Sequence, residues 1–223
     1  MNKPYIVCHM MMSLDGRIDC KMTSKLRGTK EYYETLSELN VPTTLSGRVT
    51  AELEMALPGK FSAKDQTPFG KEGFSKKQDA TGYEVVVDTH GTLLWDKQEG
   101  KKPLLVITSE QVSQEYLHYL DEQNISWIAV GKNKIDLPKA MDILRNKFEV
   151  ERMAVVGGSA INTSFLDFGL LDEISILIGP GVDGRKGMPT VFDNMSTSRE
   201  VIPLELKDVK KYEDGAVWLR YVL

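Results

Sequence analysis

Long apolar runs alternate with helix-patterned segments through most of this chain, and no other sequence feature constrains its fold as much. Residues 5–12 are continuously apolar apart from His9, which is typical of a strand covered on both faces in a parallel sheet. Further strands are predicted at residues 41–45, 83–88, 104–108, 125–130, 152–156 and 173–178. Helices are predicted at residues 29–39, 48–57, 110–123, 138–148 and 160–171. This alternation predicts an α/β fold, with a largely parallel central sheet flanked by helices.

The pattern changes near the C-terminus. Residues 201–212 and 216–222 flank the sequence Glu213-Asp214-Gly215, which is a strong hairpin signal and predicts an antiparallel pair at the edge of the sheet. Residues 58–82 are rich in Gly, Pro, Lys and Ser, which predicts a poorly ordered surface excursion or flap. With 223 residues, 41% of them hydrophobic, the chain is long enough to fold as a single domain over residues 1–223.

Composition excludes several classes of protein. The 28 basic residues are dispersed among 32 acidic ones, for a net charge of −4, so no nucleic-acid partner is predicted. No apolar run approaches the roughly 20 residues that cross a bilayer, and the N-terminus lacks the layout of a signal peptide. Cys8 and Cys20 have neither metal-ligand spacing nor the numbers of a disulfide framework. We therefore expect a cytoplasmic protein without a metal site, in which His9 is a hydrogen-bonded core residue.

One strand end is suited to binding a phosphate. The apolar run that ends at Val156 is followed by Gly157, Gly158, Ser159 and Ala160, a pattern that predicts a buried strand turning into a helix. Glycine lets the backbone approach an anion closely, and the first N–H groups of a helix point at it. These four residues are candidate cofactor ligands, although a Gly-Gly pair is also consistent with a simple tight turn.

Two other strand ends carry glycine beside polar or charged residues. Ser13-Leu14-Asp15-Gly16 follows the first strand, and Gly47-Arg48-Val49-Thr50 follows the second. Together with the glycine pair, they suggest one nucleotide-sized crevice. Gly47, Arg48 and Thr50 are predicted to bind a cofactor phosphate, and a solvent-exposed arginine with a helix cap is the alternative.

Polar residues after two more strands are candidate ligands for the adenosine end of a cofactor. Ser109 and the pair Gly131-Lys132 each follow a predicted strand, the position at which open α/β sheets present ligand groups. Lys132 is predicted to lie near a 2′-phosphate, and simple solvent exposure of this lysine is an equal alternative.

These motifs, in this order and spacing, resemble the reductase domain of bacterial riboflavin biosynthesis. The resemblance runs from about residue 5 to residue 222 and includes Ser13 to Ile18, Gly47 to Thr50, Gly157-Gly158, and the run Gly169 to Ile174 with Gly179-Pro180. It implies a dihydrofolate reductase-like fold and an NADPH-dependent oxidoreductase. It also implies a homodimer, whose interface the C-terminal hairpin could partly supply. The expected reaction reduces the ribosylamino side chain of a phosphorylated aminopyrimidine to a ribityl chain, and a stand-alone reductase is expected.

The resemblance places Ser13, Leu14 and Asp15 on the substrate side. Asp15 is the candidate catalytic residue, because a carboxyl group at the end of a buried strand can orient a substrate, or relay a proton if burial raises its pKa. The alternative is that Asp15 only closes the turn before Gly16, which is a common role of aspartate.

The chain departs from the family pattern at two substrate-side positions. Family members typically carry Glu where this chain has Val156, and an Asp-Asp-Pro segment where it has Ala51-Glu52-Leu53-Glu54. These departures motivate two other hypotheses. One is an NADPH-dependent reductase of another pterin, imine or carbonyl compound, and the other is a non-catalytic nucleotide-binding dimer.

Overall fold

A computed structural model describes residues 2–97 and 102–223. Residue contacts divide the chain into two compact units. The first comprises the N-terminal residues up to Pro4 and Pro42–Met153, and the second comprises Tyr5–Val41 and Ala154–Leu223. The prediction of a single domain over residues 1–223 stays a prediction.

The first unit contains a mostly parallel sheet with helices. Its elements are β2 (Thr43–Gly47), α3 (Arg48–Glu54), β3 (Gly73–Ser75), β4 (Glu84–Val87), β5 (Leu104–Thr108), α4 (Gln114–Glu122), β6 (Ser126–Ala129) and α5 (Leu137–Lys147). Strands β2, β4, β5 and β6 pair in that order, all parallel, and β3 pairs antiparallel with β6. The strand β7 (Arg152–Val155) contains the boundary between the two units.

The core of the first unit explains its sequence pattern. All five residues of β5 and all four of β6 are buried, as expected for parallel strands covered on both faces. Tyr116, Leu117 and Leu120 of α4 pack into the same cluster as Val86, Val106 and Trp127. Helix α4 begins at Gln114 rather than at the predicted residue 110, because the Ser113 hydroxyl accepts a hydrogen bond from the Tyr116 N–H and caps the helix there.

The predicted excursion at residues 58–82 is attached to its own unit at several points. It contains β3, a strand that the sequence analysis did not predict. Outside β3, the Phe61 N–H donates to the Thr92 carbonyl oxygen and the Phe69 N–H donates to the Val112 carbonyl oxygen. The rings of Phe61 and Phe69 pack against the core cluster. The segment is largely irregular and exposed, and its role as a flap stays a prediction.

The second unit combines a parallel pair with an antiparallel hairpin. Its elements are β1 (Tyr5–Ser13), α1 (Cys20–Thr23), α2 (Thr29–Glu38), α6 (Ser159–Asp167), β8 (Glu173–Gly179), β9 (Glu205–Lys211) and β10 (Val217–Val222). Strands β1 and β8 are parallel, whereas β10 pairs antiparallel with β8 and with β9. The predicted α/β class, the mostly parallel sheet and the C-terminal antiparallel hairpin are therefore confirmed. The first hairpin strand begins at Glu205 rather than at residue 201.

A buried polar network lies beside the core of the second unit. The His9 ring stacks on Tyr32, with the ring centroids 4.7 Å apart, and its nitrogens contact the Ser175 hydroxyl at 2.9 Å and the Tyr32 carbonyl oxygen at 3.2 Å. The Trp218 indole N–H also donates to the Ser175 hydroxyl, at 2.7 Å. His9 is therefore a hydrogen-bonded core residue, as predicted. No cluster that could hold a metal ion occurs within residues 2–97 and 102–223.

Two further findings concern the cysteines and the helices. Cys8 and Cys20 are not joined by a disulfide, and the first is buried whereas the second is exposed. None of the helices that the structure describes combines the length and the apolar character needed to cross a membrane.

Candidate functional site

In the first unit, the carboxyl ends of four parallel strands lie at one edge of the sheet. The register pairs Gly47 with Val87, Val87 with Ile107, and Thr108 with Ala129. The residues that follow these strands therefore emerge side by side. Of the predicted ligands, Gly47 ends β2, Arg48 and Thr50 lie in the first turn of α3, and Ser109 and Gly131 follow β5 and β6.

The turn after β2 leads directly into helix α3. Gly47 is the N-cap residue, and Arg48 is the first helical residue. The Arg48 guanidinium donates to the Glu52 carboxylate one turn later, at 2.7 Å, so part of its charge is already paired. The Ser46 hydroxyl, immediately before Gly47, is buried and is among the side-chain polar atoms that have no hydrogen-bond partner in the described part of the chain. A buried, unpaired hydroxyl beside the predicted phosphate turn is consistent with a ligand there.

The hydroxyl and the N–H of Ser109 are both hydrogen-bonded to the backbone of another turn. Both groups donate to the Thr89 carbonyl oxygen, at 2.9 and 3.2 Å, and the side chain is fully buried. These bonds support the turn that follows β4. The described structure therefore gives the Ser109 side chain a structural role, and its predicted contact with a cofactor stays a prediction.

Gly131 is a glycine for a local reason. Its φ is +87°, and an added Cβ would come within 2.1 Å of the Lys134 carbonyl oxygen. Its N–H donates to the Glu110 carboxylate at 3.1 Å, and its carbonyl oxygen accepts from the Glu110 N–H at 2.9 Å. Lys132, the next residue, is exposed to solvent.

In the second unit, the turn after β1 is built around Ser13. The Ser13 hydroxyl is buried; it donates to the Asp15 carboxylate at 2.6 Å and accepts from the Arg17 N–H at 3.0 Å. The Leu14 N–H donates to the Gly181 carbonyl oxygen at 2.8 Å, while the Leu14 side chain is 68% exposed. An exposed leucine held on a fixed backbone is suited to contact the apolar part of a ligand.

Asp15 fastens the loop after β8. Its two carboxylate oxygens accept hydrogen bonds from the backbone N–H groups of Asp183 and Gly184, each at 2.9 Å. The Ser13 hydroxyl, followed by these two N–H groups, holds the pKa of Asp15 well below its usual range. Asp15 is exposed rather than buried. The raised pKa that a proton-relay role requires is therefore absent, because three donors stabilise the carboxylate.

The loop after β8 also contains a charged cluster. The Arg185 guanidinium donates to the carboxylates of Asp183 and Asp19, at 2.5 and 2.7 Å. The Asp183 side chain is fully buried, and the hydrogen bond from Arg185 is the largest cause of its lowered pKa. The Arg185 guanidinium is therefore already paired, with one carboxylate of this loop and one of the segment after β1.

The glycine pair begins helix α6, as predicted, although the helix starts at Ser159 rather than at Ala160. Gly157 has a φ of +104° and precedes a cis peptide bond, while Gly158 is the N-cap residue with a φ of −79°. Because the cap is a glycine, no side chain caps the helix. The first N–H groups of any α-helix have no intrahelical acceptor, and at α6 no side-chain cap bonds them, which is the arrangement that binds anions.

The side chain of Ser159 is bonded to a residue that sequence reasoning missed. Its hydroxyl donates to the Asp193 carboxylate at 2.9 Å. The same carboxylate accepts from the Thr190 N–H at 2.9 Å and from the Thr190 hydroxyl at 2.6 Å. The hydroxyl proton of Ser159 is thus not available to a phosphate, and its backbone N–H is the group left for binding. No sequence motif surrounds Asp193, so only the tertiary structure identifies it as the partner of Ser159.

The predicted cofactor ligands belong to both units. Gly47, Arg48, Thr50, Ser109 and Gly131 lie in the first unit, and Gly157, Gly158, Ser159 and Ala160 lie in the second. The predicted substrate residues Ser13, Leu14 and Asp15 also lie in the second unit. The assembly of these groups into one crevice stays a prediction.

The sequence of this chain matches a known protein family and named reductases. The sequence model of the RibD C-terminal domain matches residues 4–219. A 2,5-diamino-6-ribosylamino-4(3H)-pyrimidinone 5′-phosphate reductase from Methanothermobacter thermautotrophicus is 25% identical over 224 residues, covering 92% of each chain. A reductase of the same name from Archaeoglobus fulgidus is 27% identical over 207 residues, covering 87% of this chain and 88% of the relative.

Solved structures share the fold. A pyrimidine reductase-like protein from Corynebacterium diphtheriae superposes with a TM-score of 0.70 at 17% identity, covering 99% of this chain and 92% of the other. The riboflavin biosynthesis reductase Rib7 of Saccharomyces cerevisiae gives a TM-score of 0.63 at 18% identity, covering 100% and 91% of the two chains. The resemblance inferred from the motifs is confirmed at the level of the fold.

Proposed function

We propose, on the basis that this chain belongs to the RibD C-terminal domain family, that it is an NADPH-dependent reductase of the riboflavin-biosynthesis type. In the proposed reaction, the ribosylamino side chain of a phosphorylated aminopyrimidine is reduced to a ribitylamino chain. The observation that carries the proposal is the family match over residues 4–219. Two relatives of similar length that are named as pyrimidinone phosphate reductases support it.

The glycine turn supports binding of a dinucleotide. We assign the backbone N–H groups at Gly158, Ser159 and Ala160 to a cofactor phosphate, because they open helix α6 without a capping side chain. Gly47, Arg48 and Thr50 are assigned to a second phosphate contact, and Ser109 and Gly131 to the adenosine end. When bound, a reduced nicotinamide supplies the hydride for the reaction.

We assign the substrate-side residues to orienting the substrate rather than to protonating it. Reduction needs a hydride at carbon and a proton at the neighbouring nitrogen. Asp15 is ionised, because its pKa is lowered by Ser13 and by the N–H groups of Asp183 and Gly184, so we assign it to positioning the substrate and not to donating the proton. Ser13 and Leu14, on the same turn, complete the proposed substrate contact.

Val156 favours a second candidate function. This residue packs against the hydrophobic cluster of the second unit and supplies no carboxylate where family members typically carry Glu. The alternative is the same NADPH chemistry on another pterin, imine or carbonyl acceptor. A panel of such acceptors, assayed by NADPH oxidation, separates the two candidates.

The first experiment is a titration of the purified protein with NADPH and, separately, with NADH. We expect NADPH to bind more tightly and to raise the melting temperature, because a ligand of the native state stabilises it by about 2.7 kcal/mol at 100 times Kd. NADPH oxidation that depends on the ribosylaminopyrimidine phosphate would establish the substrate. NADPH binding without oxidation of any acceptor would favour a non-catalytic nucleotide-binding protein, and no binding of either nucleotide would contradict the proposal.

We further propose a cytoplasmic homodimer. The absence of a disulfide between Cys8 and Cys20 fits a reducing compartment. Fractionation of cells that express the chain tests the location.

A further inference from the structure

Residues 181–193, here called the strap, follow β8 and are hydrogen-bonded both to the turn after β1 and to helix α6. At its first end, the strap is held by the turn after β1. The Asp15 carboxylate accepts from the N–H groups of Asp183 and Gly184. Further along, the Arg17 guanidinium donates to the Met188 carbonyl oxygen at 2.7 Å, and the Ile18 N–H donates to the Pro189 carbonyl oxygen at 3.1 Å.

At its second end, the strap is bonded to the first two turns of helix α6. Asn162 donates through its side-chain amide to the Val191 carbonyl oxygen at 2.9 Å. Thr163 and Asp193 exchange two bonds: the Thr163 hydroxyl donates to the Asp193 carbonyl oxygen at 2.8 Å, and the Asp193 N–H donates to the Thr163 hydroxyl oxygen at 3.0 Å. The Ser159 hydroxyl adds its bond to the Asp193 carboxylate.

Asp193 is the charged group at this second end. Burial by itself would raise the pKa of Asp193, but the Thr190 and Ser159 donors outweigh it and lower the pKa. The carboxylate is therefore ionised at neutral pH, and its three hydrogen bonds are charge-assisted, the stronger class. Since Ser159 is the first residue of α6, the carboxylate fixes the position of the helix end whose N–H groups we assign to a cofactor phosphate.

We propose that Asp193 is a positioning residue for the cofactor, holding the glycine turn in place through Ser159 at the end of the strap. This inference rests on the proposed function, since it takes the glycine turn to be the phosphate site. The strap is bonded at its other end to the turn that carries Ser13 and Asp15. The strap therefore links the turn that carries Ser13 and Asp15 to the start of helix α6 through hydrogen bonds.

The test is the steady-state kinetics and direct NADPH binding of Asp193→Asn. Asparagine keeps the size of the side chain but loses the charge and one strong acceptor. We expect the KM and the Kd for NADPH to rise roughly tenfold, the factor that loss of one net charge-assisted bond gives. The kcat at saturating NADPH should stay within about twofold, because we assign Asp193 to positioning the phosphate turn and not to the hydride transfer. Asp193→Glu should recover part of the affinity.

Asp167→Asn is the matched control, because it makes the same chemical change at the opposite end of helix α6, where Asp167 pairs with Arg199. We expect its KM for NADPH to match that of the unsubstituted chain. If Asp193→Asn does not fold, Thr190→Val replaces it. That variant removes one donor to the same carboxylate and should raise the KM for NADPH by about threefold.

Three results would overturn the inference. The first is an unchanged KM and Kd for NADPH in Asp193→Asn, and in Thr190→Val where that variant replaces it. The second is an equal rise in Asp167→Asn, which would indicate general loosening of the helix. The third is a loss of kcat with unchanged KM, which would indicate a smaller folded fraction. Absence of NADPH binding by the unsubstituted chain would instead overturn the proposed function, together with the inference that rests on it.

Discussion

At the scale of single residues, the two glycines before helix α6 have different reasons to be glycine. Gly157 has a φ of +104°, and an added Cβ would lie 3.1 Å from the Met10 methyl group. Gly158 has a φ of −79°, which any L-amino acid adopts. The backbone conformation therefore accounts for glycine at position 157, whereas at position 158 only the proposed phosphate contact calls for glycine.

Two substitutions separate these roles. Gly157→Ala should lower the free energy of unfolding by about 1–2 kcal/mol, because alanine is strained at this φ. Gly158→Val should leave the fold largely intact but weaken NADPH binding, because its side chain would lie against the phosphate. Denaturant unfolding and NADPH titration of both variants measure the two effects. NADPH binding by Gly158→Val at the original affinity would contradict the assignment of the glycine turn.

His9 predicts a pH dependence of stability. Burial lowers the pKa of His9 from 6.5 to about 4, so between these values the unfolded chain binds a proton that the native chain does not. The stabilisation from neutral His9 is complete above pH 6.5 and is lost as the pH falls towards 4. The difference in unfolding free energy between the original chain and His9→Gln should therefore shrink by about 2–3 kcal/mol between pH 7 and pH 4.5.

Unfolding by urea at both pH values measures this difference. The exposed His118, which pairs with Glu122 on the surface of α4, gives the control substitution His118→Gln. A His9→Gln difference that does not change with pH would show that the buried imidazole is not the titrating group.

At the scale of elements, the Asp15 carboxylate fastens the first part of the loop after β8, at residues 183–184. Asp15 accepts from the backbone of Asp183 and Gly184, and Arg185 and Lys186 follow directly in the chain. Asp15→Asn removes the charge and one of the two accepting oxygens. We expect trypsin to cleave after Arg185 or Lys186 several times faster in this variant, because the loop opens more often.

Limited proteolysis followed by mass spectrometry identifies the cleavage sites. Asp65→Asn is a suitable control, because Asp65 accepts from the Thr67 N–H and hydroxyl in a loop of the other unit. Equal cleavage of the original chain and Asp15→Asn would contradict the role of Asp15 in fastening the loop.

At the scale of the whole molecule, exposed apolar surface near the hairpin supports the proposed homodimer. A groove of about 290 Å³ in the second unit is lined mostly by apolar residues: Leu166, Ile174, Phe192, Met195, Val201, Ile202 and Leu204. Val201 is 90% exposed, and Leu204 directly precedes β9. We propose that this groove, rather than the strand edge, forms part of the dimer interface, because Lys207, Lys210 and Lys211 on β9 oppose pairing of the edge itself.

Sedimentation equilibrium should give a mass twice that of one chain. Val201→Asp should raise the monomer fraction, because it places a charge in the groove. Tyr33→Asp changes a residue that is 66% exposed on α2, and it should leave the mass unchanged. A single-chain mass for the original protein, at micromolar concentration, would contradict the homodimer.

The sequence predicted the features that depend on neighbouring residues. The buried strand at residues 5–12, the helix after the glycine pair and the C-terminal hairpin each follow from local apolar periods and turn residues, and the structure has all three. The predicted ends of helices were less accurate where a side-chain cap, rather than the apolar period, sets the first residue of the helix. Helix α4, for example, starts four residues late because Ser113 caps it.

Only the tertiary structure decided the contacts between segments distant in the chain. Strand β3 forms because residues 73–75 find an unpaired edge on β6, and its own sequence contains no sign of that partner. The pKa of Asp15 is lowered by the neighbouring Ser13 hydroxyl first, and then by two N–H donors at residues 183–184, which lie far along the chain. Asp193 reaches Ser159 across 34 residues in the same way. Local sequence determines which strands, helices and turns form, but a charge or a hydrogen bond at a site depends on which groups folding brings within about 3 Å.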